Sequence, residues 1–103
     1  MSKVYFAKRR AEYSDSVMDK INNLIECCNI GGTIEKNDSV AIKLHFGEPG
    51  LTTYLRPVLV KPFTDAVKAA GGLPFLTDAN TIYHGPRSDG VSHLETAIKN
   101  GFS

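Results

Sequence analysis

The chain has 103 residues, 42% of them hydrophobic, with 12 basic and 11 acidic side chains and a net charge of +1. That length allows a single domain, and the mixed composition excludes a disordered, collagen-like or low-complexity chain. The balanced charge gives no global field toward nucleic acid or an anionic membrane, and no stretch is long and apolar enough to span a bilayer.

In chain order, Val4–Ala7 is a short β-rich run. Ser14 to Cys28 follows with helical spacing, placing Val17, Ile21, Leu24, Ile25 and Cys28 on one stripe. Ser16, Ser14 or Asp15 serves as its cap, and Gly31-Gly32 stops it. Val40–Phe46 is the strongest strand signal. After a Gly- and Thr-containing loop over residues 47–53 comes a second helix, with Leu59, Phe63, Val67 and Ala70 on one face. Pro57 suits a first helical turn, but Pro62 does not suit a helix that began there. The helix is therefore either kinked at Pro62 or starts there. Leu73–Thr77 is a third strand, and a polar connection runs from Asp78 to Asp89. A last helix, with Val91, Leu94, Ala97 and Ile98 as its apolar stripe and Ser92 and Glu95 at its start, ends before Gly101. Phe102 would open a fourth strand.

The βαβαβα order predicts a small parallel sheet in a three-layer, Rossmann-like α/β fold. Three parallel strands are few, so the sheet reads as an incomplete part of a larger one. Residues 1–103 would form one α/β domain, the N-terminal fragment of a longer protein. Cys27 and Cys28 are adjacent, which excludes a disulfide framework and any CxxC spacing for a cluster or zinc. Cys28 fits the buried stripe. The start Met1–Phe6 has no signal-peptide pattern, and the expected location is the cytoplasm.

In open parallel sheets, ligands bind where the strands end at their carboxyl edge. The three loops expected there are polar. The first carries Lys8-Arg9-Arg10. The second carries Glu48, Thr52, Thr53 and Arg56. The third carries Asp78, Asn80, Tyr83, His84 and Arg87. Alternation along the strand sends Val40, Ile42, Leu44 and Phe46 one way, and Ala41, Lys43 and His45 the other. A Lys and a His thus stand side by side near a strand end. This Lys needs a carboxylate, an anion or water, and Glu48 and Asp78 are its expected partners. The plain alternative is a solvated sheet face. The functional reading makes Lys43, His45, Asp78 and His84 catalytic. Glu48, Thr52, Thr53, Arg56, Asn80, Tyr83 and Arg87 would bind substrate, with the two arginines clamping a carboxylate or phosphate. His45, His84, Asp78 and Glu48 match no standard metal spacing, so no metal ligand is assigned. His93 reads as a surface or packing residue.

Val40-Ala41-Ile42-Lys43-Leu44-His45-Phe46-Gly47-Glu48, with Thr52-Thr53-Tyr54-Leu55-Arg56-Pro57, resembles the family known as domain of unknown function 362. So does Gly71-Gly72-Leu73-Pro74-Phe75-Leu76-Thr77-Asp78-Ala79-Asn80-Thr81, followed by Tyr83-His84-Gly85 and Arg87. His93–Ala97 and Asn100–Phe102 continue the likeness, whereas residues 1–39 match more loosely. Members of that family are often described as iron–sulfur proteins, longer than this chain and with a ferredoxin-like cysteine motif farther along. The resemblance implies a substrate- or anion-binding module of a ferredoxin-linked redox protein, an oxidoreductase when full length. A 4Fe–4S cluster is expected only in a downstream segment, so this chain would hold no cofactor and show little activity by itself. The partner would be the C-terminal portion, or a second copy paired through open sheet edges. The alternatives are a metal-dependent enzyme domain with His and Asp ligands, and a non-catalytic interaction module.

Overall fold

The computed structural model describes residues 1–102. The elements are α1 (Val17–Cys27), a 3-10 turn (Ile30–Thr33), β1 (Ser39–Lys43), α2 (Pro57–Ala69), β2 (Leu73–Thr77) and α3 (Gly90–Lys99). β1 and β2 pair in parallel, with Ser39 opposite Leu73 and Lys43 opposite Thr77. The Leu44 N–H donates to Thr77 O at 3.1 Å and carries the pairing one residue further. The fold is a small α/β fold with a parallel sheet, as the alternating periods predict.

Local chemistry settles the element ends. Ser16 caps α1: its Oγ accepts from the Asp19 N–H at 3.1 Å, and Asp19 Oδ2 accepts from the Ser16 N–H at 3.0 Å. α2 starts at Pro57 and runs through Pro62. Pro62 withholds an N–H from the carbonyl of Val58, an exposed residue whose carbonyl can turn to water. Asp89, not Ser92, caps α3, its Oδ1 accepting from the N–H groups of Val91 (3.1 Å) and Ser92 (2.9 Å).

Several expectations need correction. Val4–Ala7 forms no strand among the described residues, so the sheet has two strands rather than three. Val4 and Phe6 are exposed, and β propensity alone does not hold a strand that lacks a paired neighbour. Lys8-Arg9-Arg10 therefore does not reach the carboxyl edge; the Lys20 ammonium donates to the carbonyls of Lys8 and Arg10 instead. Phe102 begins no strand. Its N–H donates to Ala97 O and the Gly101 N–H to Ile98 O, which closes α3 in a Schellman motif. Cys28 is exposed, as is Cys27.

A further correction concerns layers. Leu44, Phe46, Val60 and Ala97 form the buried cluster, with Ile42, Leu76 and Phe102 packed against it. Val60 belongs to α2 and Ala97 to α3, so both helices cover the face from which Ile42, Leu44, Phe46 and Leu76 project. Ser39, Ala41, Lys43, Leu73 and Phe75 are exposed on the other face, so the three-layer arrangement is not completed among the described residues. The inward stripes also differ in part from the expected ones. α2 buries Val60 and Val67 while Phe63 is exposed; α3 buries His93, Thr96 and Ala97 while Val91, Leu94 and Ile98 are exposed.

Candidate functional site

Because β1 and β2 are parallel, the segments that follow them emerge at one edge. The alternation read from the sequence holds there: Leu44 and Phe46 enter the core, and Lys43 and His45 are exposed.

One group of side chains centres on Asp78. Its Oδ1 accepts from Lys43 Nζ at 3.0 Å and from the Ala79 N–H at 2.8 Å. The Asp78 side chain is 9% exposed, whereas that of Lys43 is 70% exposed. The carboxylate is thus a buried post for an ammonium that stands largely in water. Below it lies His93 of α3, with Nε2 at 3.8 Å from Asp78 Oδ2 and Nδ1 at 3.0 Å from Asn80 Oδ1. The Phe46 ring meets the His93 ring edge to face, centroids 5.8 Å apart.

A second group centres on Arg87, which is buried. Its Nε lies 3.0 Å from Glu48 Oε1 as an ion pair without hydrogen-bond alignment. Its Nη2 donates to the Tyr83 hydroxyl at 3.0 Å, and that hydroxyl donates to Glu48 Oε1 at 2.9 Å. Nη1 rests against His45 Nε2, while His45 Nδ1 accepts from the Gly47 N–H at 2.9 Å. A neutral imidazole has one acceptor nitrogen, so the tautomer decides which of these two contacts is a hydrogen bond. Either way the ring meets donors on both sides and acts as an acceptor.

Gly47 sets this corner. Its φ is +88°, and a Cβ there would lie 2.5 Å from Tyr54 Cδ1 and 2.8 Å from Asn100 Nδ2. Asn100 Nδ2 donates to Phe46 O at 2.9 Å, which ties the turn after β1 to the end of α3. The connection from Asp78 to Asp89 is ordered by its own bonds. The Thr81 N–H donates to Arg87 O at 2.9 Å, and Ser88 Oγ donates to Gly85 O at 2.8 Å. Thr96 Oγ1 reaches from α3 to Pro86 O at 3.1 Å.

The expected site residues thus divide. Lys43, Asp78 and Asn80 join one group; His45, Glu48, Tyr83 and Arg87 join the other. Thr52, Thr53, Arg56 and His84 are exposed, and their side chains make no hydrogen bond or ion pair among the described residues. The two groups do not line one cavity. A cavity of about 300 Å³ is lined by Asp78, Asn80 and His93 over a floor of Phe46, Leu76 and Ala97, without Lys43, His45 or Arg87. Arg87 is no free clamp, because Glu48 already neutralises it. Among the described residues no group of three or more His, Cys, Asp or Glu could hold a metal ion. The residue that the sequence reading missed is His93. The signal lay in spacing: His93, Thr96, Ala97 and Asn100 fall at i, i+3, i+4 and i+7, a helical face of small and polar residues that an apolar-stripe search passes over.

Three carboxyls sit below the usual carboxylate range. Burial pushes Asp78 up, but the Lys43 hydrogen bond, the Ala79 N–H and the Lys43 charge together outweigh it. Ser16, through its N–H and then its hydroxyl, lowers Asp19. Ser92 and then the Val91 N–H lower Asp89. A folded-state pKa below the unfolded value of about 3.9 contributes stability that is complete above that value. It is lost as pH falls through the folded pKa. Thermal melts are therefore expected to show stability falling below about pH 4. A melting temperature that rises on acidification through that range contradicts the assignment.

A family model for a domain of unknown function, DUF362, matches residues 40–103, a span that holds both side-chain groups, β2 and all but the first residue of β1. No curated protein and no solved structure matches the chain.

Proposed function

As this chain belongs to the DUF362 family of domains of unknown function, we propose that it is a ligand-binding α/β module that holds a small anion at the carboxyl edge of its sheet. Lys43 carries this reading. Its ammonium stands at the rim, fixed by one 3.0 Å bond to Asp78, and its other protons have no acceptor among the described residues. A carboxylate or phosphate oxygen would take those protons in charge-assisted hydrogen bonds. His45 on the same strand face acts indirectly, because its ring accepts from the Gly47 N–H and Arg87 and so fixes the turn beside Lys43. Arg56 is the exposed guanidinium of the loop, whereas Arg87 serves to order the loop. The redox setting, a ferredoxin-linked iron–sulfur protein, is proposed on the family likeness of Val40–Phe102, with the cluster in a segment outside this one.

The test is calorimetric titration with inorganic phosphate. Lys43→Ala is expected to weaken binding about tenfold or more, the range of a hydrogen bond to a charged group. His45→Ala is expected to weaken it less. Phosphate affinity unchanged in both variants refutes the reading.

A second reading, an interaction module, is favoured by surface area. The chain exposes 7772 Å², against roughly 5,700 Å² for a compact monomer of 11.2 kDa. Leu73 and Phe75 stand on the uncovered sheet face at 57% and 50% exposure, and both strands have an open edge. Such edges pair with further strands. Sedimentation velocity is expected to show a dimer or larger species at micromolar concentration; a sharp monomer boundary contradicts this second reading.

A further inference from the structure

His93 is more than nine-tenths buried, and its Nε2 has no hydrogen-bond partner. Its Nδ1 faces the side-chain oxygen Oδ1 of Asn80, so Nδ1 carries a proton, and in the neutral ring Nε2 carries a lone pair. That lone pair points into a space shared with Asp78 Oδ2, 3.8 Å away, which is itself an acceptor. In that neutral form two buried acceptors face each other without a donor between them, which is unfavourable. Lys43 does not supply the donor, because it bonds the other oxygen, Oδ1. The cavity beside them is open, about 300 Å³, and apolar beyond this polar end, with Phe46, Leu76, Leu94 and Phe102 along it.

We propose that Asp78 Oδ2 and His93 Nε2 form a subsite for the protonated amine of a small amphiphilic ligand, whose apolar body lies along Phe46, Leu76 and Phe102. A primary ammonium carries several N–H donors and a positive charge, so one group bonds both acceptors and balances the carboxylate. A neutral hydroxyl has a single proton and satisfies only one of them. The apolar floor adds burial of the ligand's carbon chain. This pocket differs from the anion contact at Lys43: it lies inward of Asp78, and its ligand has the opposite charge.

The probe is n-pentylammonium chloride, titrated at pH 7 into the full chain and followed by amide chemical shifts, with n-pentanol as the uncharged control. Saturable shifts are expected at Asp78, Asn80 and His93, with at least about tenfold weaker binding for pentanol. Asp78→Asn keeps the Oδ1 contacts and removes the charge; it should weaken the amine about tenfold and leave pentanol unchanged. His93→Gln should weaken the amine with the far-ultraviolet spectrum unchanged. Equal binding of pentanol and the amine overturns the proposal and leaves a plain apolar cavity. So does amine affinity that survives Asp78→Asn, or a site that takes zinc ion and not the amine. Phosphate titration of the same sample reads the Lys43 contact separately, so failure of one assignment is distinguishable from failure of the other.

Discussion

Gly47→Ala is expected to destabilise the protein by about 2–4 kcal/mol. Two effects add. The backbone at Gly47 has φ +88°, where a Cβ meets the following carbonyl. The same Cβ would sit 2.5 Å from the Tyr54 ring and 2.8 Å from Asn100 Nδ2, so the ring and the amide must both move. Asn100 holds the carbonyl of Phe46, and the Gly47 N–H holds His45 Nδ1, so the strain reaches the core and the rim together. Urea denaturation measures the loss. A change below about 0.5 kcal/mol contradicts the geometry of this corner, because substitutions away from such features stay within that range.

Arg87→Met is expected to have a comparable effect through a different cause. It removes a buried cation, leaving the Glu48 carboxylate without its counter-charge and the Tyr83 hydroxyl oxygen without its donor, although Tyr83 still donates to Glu48. Removing one member of a buried pair costs roughly 3–5 kcal/mol when both are fully enclosed. Glu48 keeps 25% of its side chain in solvent, so the expected loss is about 2–4 kcal/mol. The double variant Arg87→Met with Glu48→Gln should recover at least about 1 kcal/mol, because no unpaired carboxylate remains. Limited proteolysis should show faster cleavage between Asn80 and Ser88 in the single variant. Strict additivity of the two substitutions contradicts the coupling.

The legible parts of the fold are those in which local pattern and tertiary packing agree. Leu73–Thr77 has the same bounds in the sequence and in the structure, and the alternation along Val40–Phe46 separates core from rim correctly. Parallel order and the carboxyl edge follow from the alternation of periods. What was illegible depends on partners far along the chain. Val4–Ala7 has strand propensity and no strand to pair with. Phe102 looks like a strand start, yet the left-handed Gly101 before it turns the chain back onto Ala97. The helix faces are legible only in part: Val67 and Ala97 of the expected stripes are buried, whereas Phe63 of α2 and Val91, Leu94 and Ile98 of α3 are exposed.

The candidate site divides in the same way. Charge and strand alternation leave Glu48 and Asp78 as partners for Lys43, and the structure pairs it with Asp78 at 3.0 Å while Glu48 goes to Arg87. The pairing of Arg87 with Glu48 was not legible, because charge type alone does not show whether an arginine is free for a ligand or bound within the fold. His93 was overlooked because a lone histidine on a helix carries no signal until the helix is docked. Only then does its ring reach Asp78 and Asn80.

The most direct measurement is a map of amide chemical shifts across the chain during titration with inorganic phosphate. Shifts concentrated at residues 43–48 and 77–80, with residues 30–38 and 70–72 at the opposite edge unmoved, are the predicted result. Shifts spread evenly over the surface, or confined to Lys8, Arg9 and Arg10, would contradict the carboxyl edge as the working face.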